Sequence, residues 1–221
     1  MLAIDESKLY SLIEIFKEGF KENFLEEKYK WEAVKHFQDN WNINAEDFPT
    51  MLSNALSKTG NLLAALNFFP RRMIKQYATR FTKEVKGLFE ELFNESSDLK
   101  ERIDAFIAGI EYIHKQWDGN GTLNHYQTFN AVSTYLWLRY PDKYYIYKPS
   151  VAKLMFEKLG VDMKLTPLRA NAVIKTYELY DHISKTLCKD NEFKKMFVES
   201  LGDECYPDES MLTAAIDLGY Y

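Results

Sequence analysis

Apolar residues return every three or four positions along most of this chain, and that spacing points to helices before anything else. After Asp5 and Ser7, either able to cap, come Leu9, Leu12, Ile13, Phe16 and Phe20 with charges between them, one apolar stripe at the helical period. Trp31, Val34 and Phe37 predict a second short helix. Phe48, Met51, Leu52, Ala55 and Leu56 predict a third, stopped by Gly60. Residues 82–95 put Val85, Leu88, Phe89, Leu92 and Phe93 on one face. Ser96, Ser97 and Asp98 then offer caps for a long helix carrying Leu99, Ile103, Phe106, Ile107, Ile110, Ile113 and Trp117, which DGNGTLN ends. Further helices fit 125–139, 150–159, 168–187, 190–201 and 208–218.

One stretch breaks the pattern. KYYIYK, residues 143–148, is aromatic and β-branched and bounded by prolines, the best strand candidate in the sequence. There is no βαβ alternation and no internal repeat. The expected fold is therefore mainly α, a single multi-helix domain over residues 1–221 with at most a small β-element near 143–148. The sequence closes on MLTAAIDLGYY without a polar tail, so the chain is expected to be the N-terminal fragment of something longer.

Charge narrows the function classes. The chain carries a net charge of −5, so any attraction for nucleic acid has to come from a local patch. Such a patch exists in the sequence: between residues 58 and 86 the cations Lys58, Arg71, Arg72, Lys75, Arg80, Lys83 and Lys86 face one acid, Glu84. Residues 90–118 run the other way, with eight acids and three bases. The two cysteines, Cys188 and Cys205, are too few for a disulfide framework or a zinc site. No apolar run reaches the ~18–20 residues of a membrane span, and the N-terminus has acids where a signal peptide has bases. A cytoplasmic protein with reduced thiols and no membrane contact is expected.

Enzyme signatures are missing. GxxxxGK[ST], HExxH, GxSxG and CxxC do not occur, and His36, His114, His125 and His182 stand singly without metal-ligand spacing. Adjacent acids such as Glu90 and Glu91 point about 100° apart on a helix. The expectation is a chain with no catalytic residues, no metal and no cofactor of its own.

Three stretches stand out as binding material. In KTGNLLAALNFFPRRMI (58–74), Pro70 pushes Phe69 out of helical geometry, so Arg71 and Arg72 could meet phosphates beside free N–H groups at the next helix start. The bland alternative is core phenylalanines and solvated arginines. In WDGNGTLNHYQTFN (117–130), Trp117, Asn120, Asn124, His125, Tyr126, Gln127 and Asn130 concentrate rings and amides; rings stack on bases and amides pair with their edges. A capped interhelical turn would use the same residues. In LWLRYPDKYYIYK (136–148), five rings sit among Arg139, Lys143 and Lys148, and strand alternation turns one row of tyrosines away from the core.

WEAVKHFQDNWNINAEDF, KTGNLLAALNFFPRRMI and GNGTLNHYQTFNAVSTYLWLRYPDKYYIYK together resemble the N-terminal region of McrB-like AAA+ proteins, over residues 30–185. These are the nucleotide-hydrolysing subunits of type IV restriction systems directed at methylcytosine-containing DNA. The resemblance implies a non-catalytic specificity module that reads a modified base. It also implies a C-terminal AAA+ module through which the protein oligomerises, and a separate nuclease subunit that cuts. The expected DNA contacts are Arg71, Arg72, Lys75 and Lys83 on phosphates, with Trp117, Asn120, His125, Tyr126, Tyr144 or Tyr147 near a base and Arg139 as a further nucleic-acid-binding residue. The alternative is a protein-interaction or assembly module docking a partner subunit or a phage protein, for which the acidic total and the many rings would serve equally.

Overall fold

The computed structural model describes residues 2–117, 124–162 and 169–220. Among them run eleven α-helices: α1 (Glu6–Glu27), α2 (Tyr29–Asn40), α3 (Phe48–Ala55), α4 (Pro70–Arg80), α5 (Thr82–Leu92), α6 (Leu99–Gln116), α7 (Phe129–Arg139), α8 (Pro149–Lys158), α9 (Ala170–Leu187), α10 (Asn191–Ser200) and α11 (Leu212–Leu218). The mainly α expectation holds. No described helix is long and apolar enough to cross a membrane.

Caps fix several of the starts. Asp5 accepts from the backbone N–H groups of Ser7 and Lys8, so the acid and not the serine caps α1. Asp47, Asp98 and Asp190 do the same for α3, α6 and α10, each satisfying a donor that would otherwise lack a partner. Gly60 takes φ +48° beyond the end of α3, where it opens a short 3-10 turn.

The centre is α7. Its run AVSTYLWL, residues 131–138, carries no charge and every one of those side chains is buried, as expected for a helix that is apolar all round. Helices α2, α6 and α9 pack against it, α5 lies on α6 and α4 on α5, while α11 fits between α1 and α9. One contiguous core runs from Leu9 to Leu218. Lys30, Arg102, Asp208 and Asp217 are buried among it, and Lys30 and Asp217, each 1% exposed, form an ion pair that Glu27 extends.

The strand expectation fails. Among the described residues no strand forms, and the one β-bridge joins Ala65 to Phe68. Residues 143–148 have no neighbouring strand to pair with, and their backbone groups turn to α7 instead. The Tyr147 N–H donates to Ser133 Oγ at 2.8 Å, and Asn130 Nδ2 donates to the Tyr147 carbonyl at 2.9 Å. Cys188 and Cys205 are free thiols.

Candidate nucleic-acid interface

The sequence FFPRR builds a corner. Ala65 and Phe68 close a tight turn through reciprocal backbone hydrogen bonds of 3.0 and 3.1 Å, with Leu66 at its tip 90% exposed. Phe69 then caps α4 by position, and Pro70 occupies the first helical turn, where its fixed φ suits the helix. The expected free N–H groups are largely spent: Pro70 has none, Arg71 donates to the Leu63 carbonyl at 3.0 Å and Met73 to the Phe69 carbonyl at 3.1 Å. Any anion here has to be held by side chains.

Those side chains are well set. Met73, Ile74, Tyr77 and Ala78 bury one face of α4. The opposite face carries Arg72, Lys75, Gln76 and Thr79 at the i, i+3, i+4, i+7 spacing of a single stripe. With Ala64, Phe69 and Arg71 they line a hollow of about 400 Å³ that contains no acid. Arg71 is partly committed, donating to the Ser57 carbonyl at 2.9 Å and so satisfying the C-terminal end of α3. The side chains of Arg72 and Lys75 make no hydrogen bond or ion pair with a described residue, and the Thr79 hydroxyl donates to the Lys75 carbonyl at 2.9 Å. Lys83 is exposed on α5, outside the hollow.

The 124–128 loop arrives at this corner. Gln127 is buried and pins it, donating to the Pro70 carbonyl at 2.8 Å and accepting from the Tyr135 hydroxyl at 2.7 Å. Tyr126 is held at φ +57°, a region that costs a non-glycine residue of order 1 kcal/mol. The Asn124 carboxamide stabilises that turn by accepting the Tyr126 N–H at 2.7 Å. The Tyr126 ring stands edge-on to Phe68 and Phe69 at 6.4 and 5.6 Å. His125 is half-buried 5.7 Å from His114, and burial together with that neighbour holds its pKa below the usual value. Trp117 packs edge-on to Tyr77, whose Oη lies 2.7 Å from His114 Nδ1.

A scan against family models and searches of curated proteins and of solved structures return no match.

Of the residues expected from sequence, Arg71, Arg72, Lys75, His125, Tyr126 and Trp117 cluster around α4, and Asn120 lies outside the described residues. Gln127 is a structural pin with no edge left to offer. The tyrosine expectation is overturned. Tyr144 is 4% exposed and Tyr147 is fully buried. The Tyr144 hydroxyl donates to Glu95 Oε1 at 2.6 Å and accepts from Arg102 Nη2 at 2.7 Å, while Tyr145 donates to Asp181 Oδ1 at 2.8 Å and stacks on Tyr180. Strand alternation exposes a row of side chains only where one face meets water, and here Tyr144, Tyr145, Ile146 and Tyr147 are all buried. Arg139 is also misplaced: its guanidinium lies over the Tyr140 ring at 4.8 Å, at the opposite end of α7 from the loop, about 15 Å along the helix.

Sequence reasoning missed Gln76, Thr79 and Leu66. The first two follow from the stripe once the buried face of α4 is known. Leu66 carried the weaker signal of an Asn at the next position, a favoured turn residue.

Proposed function

We propose that this chain is a DNA-recognition module, non-catalytic itself, with the α4 stripe as its phosphate-binding face. The observation that carries this reading is the acid-free hollow in which Arg71, Arg72 and Lys75 converge beside the Phe69 ring. On a chain of net charge −5, three cations gathered without a countercharge create a local attraction that the total hides. Arg71, Arg72 and Lys75 meet phosphates, and counterions condensed on the DNA are released. Phe69 and Tyr126 supply ring edges, and Leu66 projects from the turn as an apolar contact for a base step. In keeping with the McrB-like resemblance, the module would read a modified base for a cytoplasmic restriction ATPase or GTPase. The AAA+ part of that protein would assemble into an oligomer and direct a nuclease subunit.

The test is binding to methylated and unmethylated duplexes at two salt concentrations. Three phosphate contacts give a log–log salt slope of about −3, and Arg72→Glu with Lys75→Glu lowers affinity for all sequences at least tenfold and flattens the slope by about two. Unchanged low-salt binding by a folded double variant would sink the proposal.

One observation favours assembly with another chain instead. A groove of about 690 Å³ beside α10 has Phe197, Leu201 and Met211 in its walls and Val198, 59% exposed, at its edge. If that groove is the working surface, Val198→Glu abolishes co-sedimentation with the partner while the Arg72 and Lys75 reversals leave function intact.

A further inference from the structure

The turn that borders the cationic hollow has a second side. Ala64 and Phe69 face the cations, but Ala65 and Phe68, the bridged pair, line a separate hollow of about 480 Å³. That size is within the range of small-molecule sites. Its walls include three rings, Tyr29, Phe68 and Tyr220, and two amides, Asn61 and Asn130, with the exposed Lys148 in its lining.

We propose that this hollow binds one nucleobase together with its 5′-phosphate. Lys30 and Lys148 already lie over the Tyr220 ring at 4.6 and 5.0 Å, so Tyr29 and Phe68 are the rings on which a base would stack. The amides differ usefully in what they have left to give. Asn130 Nδ2 is committed to the Tyr147 carbonyl at 2.9 Å, so its Oδ1 serves as an acceptor for an exocyclic amine. Asn61 makes no hydrogen bond with a described residue, so its whole amide is available to pair with a base edge as both donor and acceptor. Lys148 supplies the cation for the phosphate; its ammonium is 3.3 Å from Tyr220 Oη and 5.0 Å from the ring centroid. Glu27 also lines the hollow, and because it shares Lys30 with Asp217 the trio keeps one net negative charge that Lys148 has to offset. Two sources offer this chemistry: a free mononucleotide, or a nucleotide turned out of a strand lying on α4. Only the second source rests on the DNA-recognition reading.

Calorimetry on the intact chain with the four deoxynucleoside 5′-monophosphates separates the two. It is paired with duplexes that are either perfect or carry one unpaired base. If the source is a free nucleotide, at least one monophosphate binds with sub-millimolar Kd. Asn61→Ala then weakens it tenfold or more without moving Tm, since Asn61 is exposed, and Lys148→Ala erases the preference for monophosphate over nucleoside. If the source is a strand, the duplex with an unpaired base binds at least tenfold tighter than the perfect one, and Asn61→Ala removes that preference. Binding of neither kind, or binding indifferent to Asn61→Ala, overturns the proposal. Arg72→Glu with Lys75→Glu keeps the readings apart: it abolishes duplex binding if α4 is the phosphate face and leaves monophosphate binding untouched.

Discussion

Two regions of this molecule have nearly the same composition and opposite fates. Around Tyr144 and Tyr145, rings lie among Lys143 and Arg102; around Phe69 and Tyr126, rings lie among Arg71, Arg72 and Lys75. In the first region each cation has found an acid, since Lys143 and Arg102 both pair with Glu95, and the rings are sealed by helices on both sides. In the second region no acid lines the hollow, and Arg72 and Lys75 are left to solvent. Aromatic and cationic residues together therefore do not mark a site. The acids of residues 90–118, which include Glu95, decide which cations are spent on the fold and which remain available to a ligand.

The sharpest way to break the comparison is to remove a ring from the sealed region. Tyr145→Ala deletes a fully buried side chain that stacks on Tyr180 at 5.3 Å and hydrogen-bonds Asp181. It should cost about 3–5 kcal/mol in denaturant unfolding, while the folded fraction keeps its duplex affinity. A loss of affinity out of proportion to the unfolded fraction would return the tyrosines to the interface.

The next largest effect probes the link between loop and corner. Gln127→Ala leaves the Pro70 carbonyl and the Tyr135 hydroxyl without their partner inside the protein, at about 2 kcal/mol. Because the same side chain pins the segment that presents Tyr126, duplex affinity should also fall. Chemical denaturation and anisotropy on one sample separate the two losses. A change in stability alone would mean that Tyr126 takes no part in binding.

Much of this was legible in the sequence, and the misses have definite causes. Helices α1, α5 and α6 were readable because one face meets water, so the apolar stripe appears against charges. The same reasoning misled at 143–148: alternation reports a half-buried strand only where half of it is exposed, and neither Tyr144 nor Tyr145 is. The role of Gln127 was hidden for a different reason. Its partners, Pro70 and Tyr135, are set by how α4 and α7 approach the loop, which no local pattern records. Leu66 in LLAALNFF reads as core, and only the bridge between Ala65 and Phe68 turns it outward.

Leu66 offers a smaller effect confined to the open region. At 90% exposure its truncation to Ala should alter stability by no more than about 0.5 kcal/mol. As an apolar contact at a base step it should weaken duplex binding by roughly fivefold with no change in salt slope, since no charge is removed. A changed slope would show that the turn positions the cations and does not itself touch the bases.

The smallest effect is a pH dependence in the loop that borders the open region. Burial, then the neighbouring His114, hold the His125 pKa below its ordinary value of 6.5, and His125 Nδ1 accepts the Gln127 N–H at 3.0 Å. The folded protein therefore favours neutral His125, while the unfolded chain takes up a proton at the usual pH. Between the lowered folded value and 6.5 the unfolded state binds more protons, so stability is complete above that window and declines as pH falls through it. His125→Asn offers a side-chain oxygen to the same N–H but cannot titrate. The difference in urea midpoint between pH 7.5 and pH 5.5 should shrink in this variant relative to the parent. An equal difference in both would mean that the pH response arises outside this loop and that protonation of His125 takes no part in it.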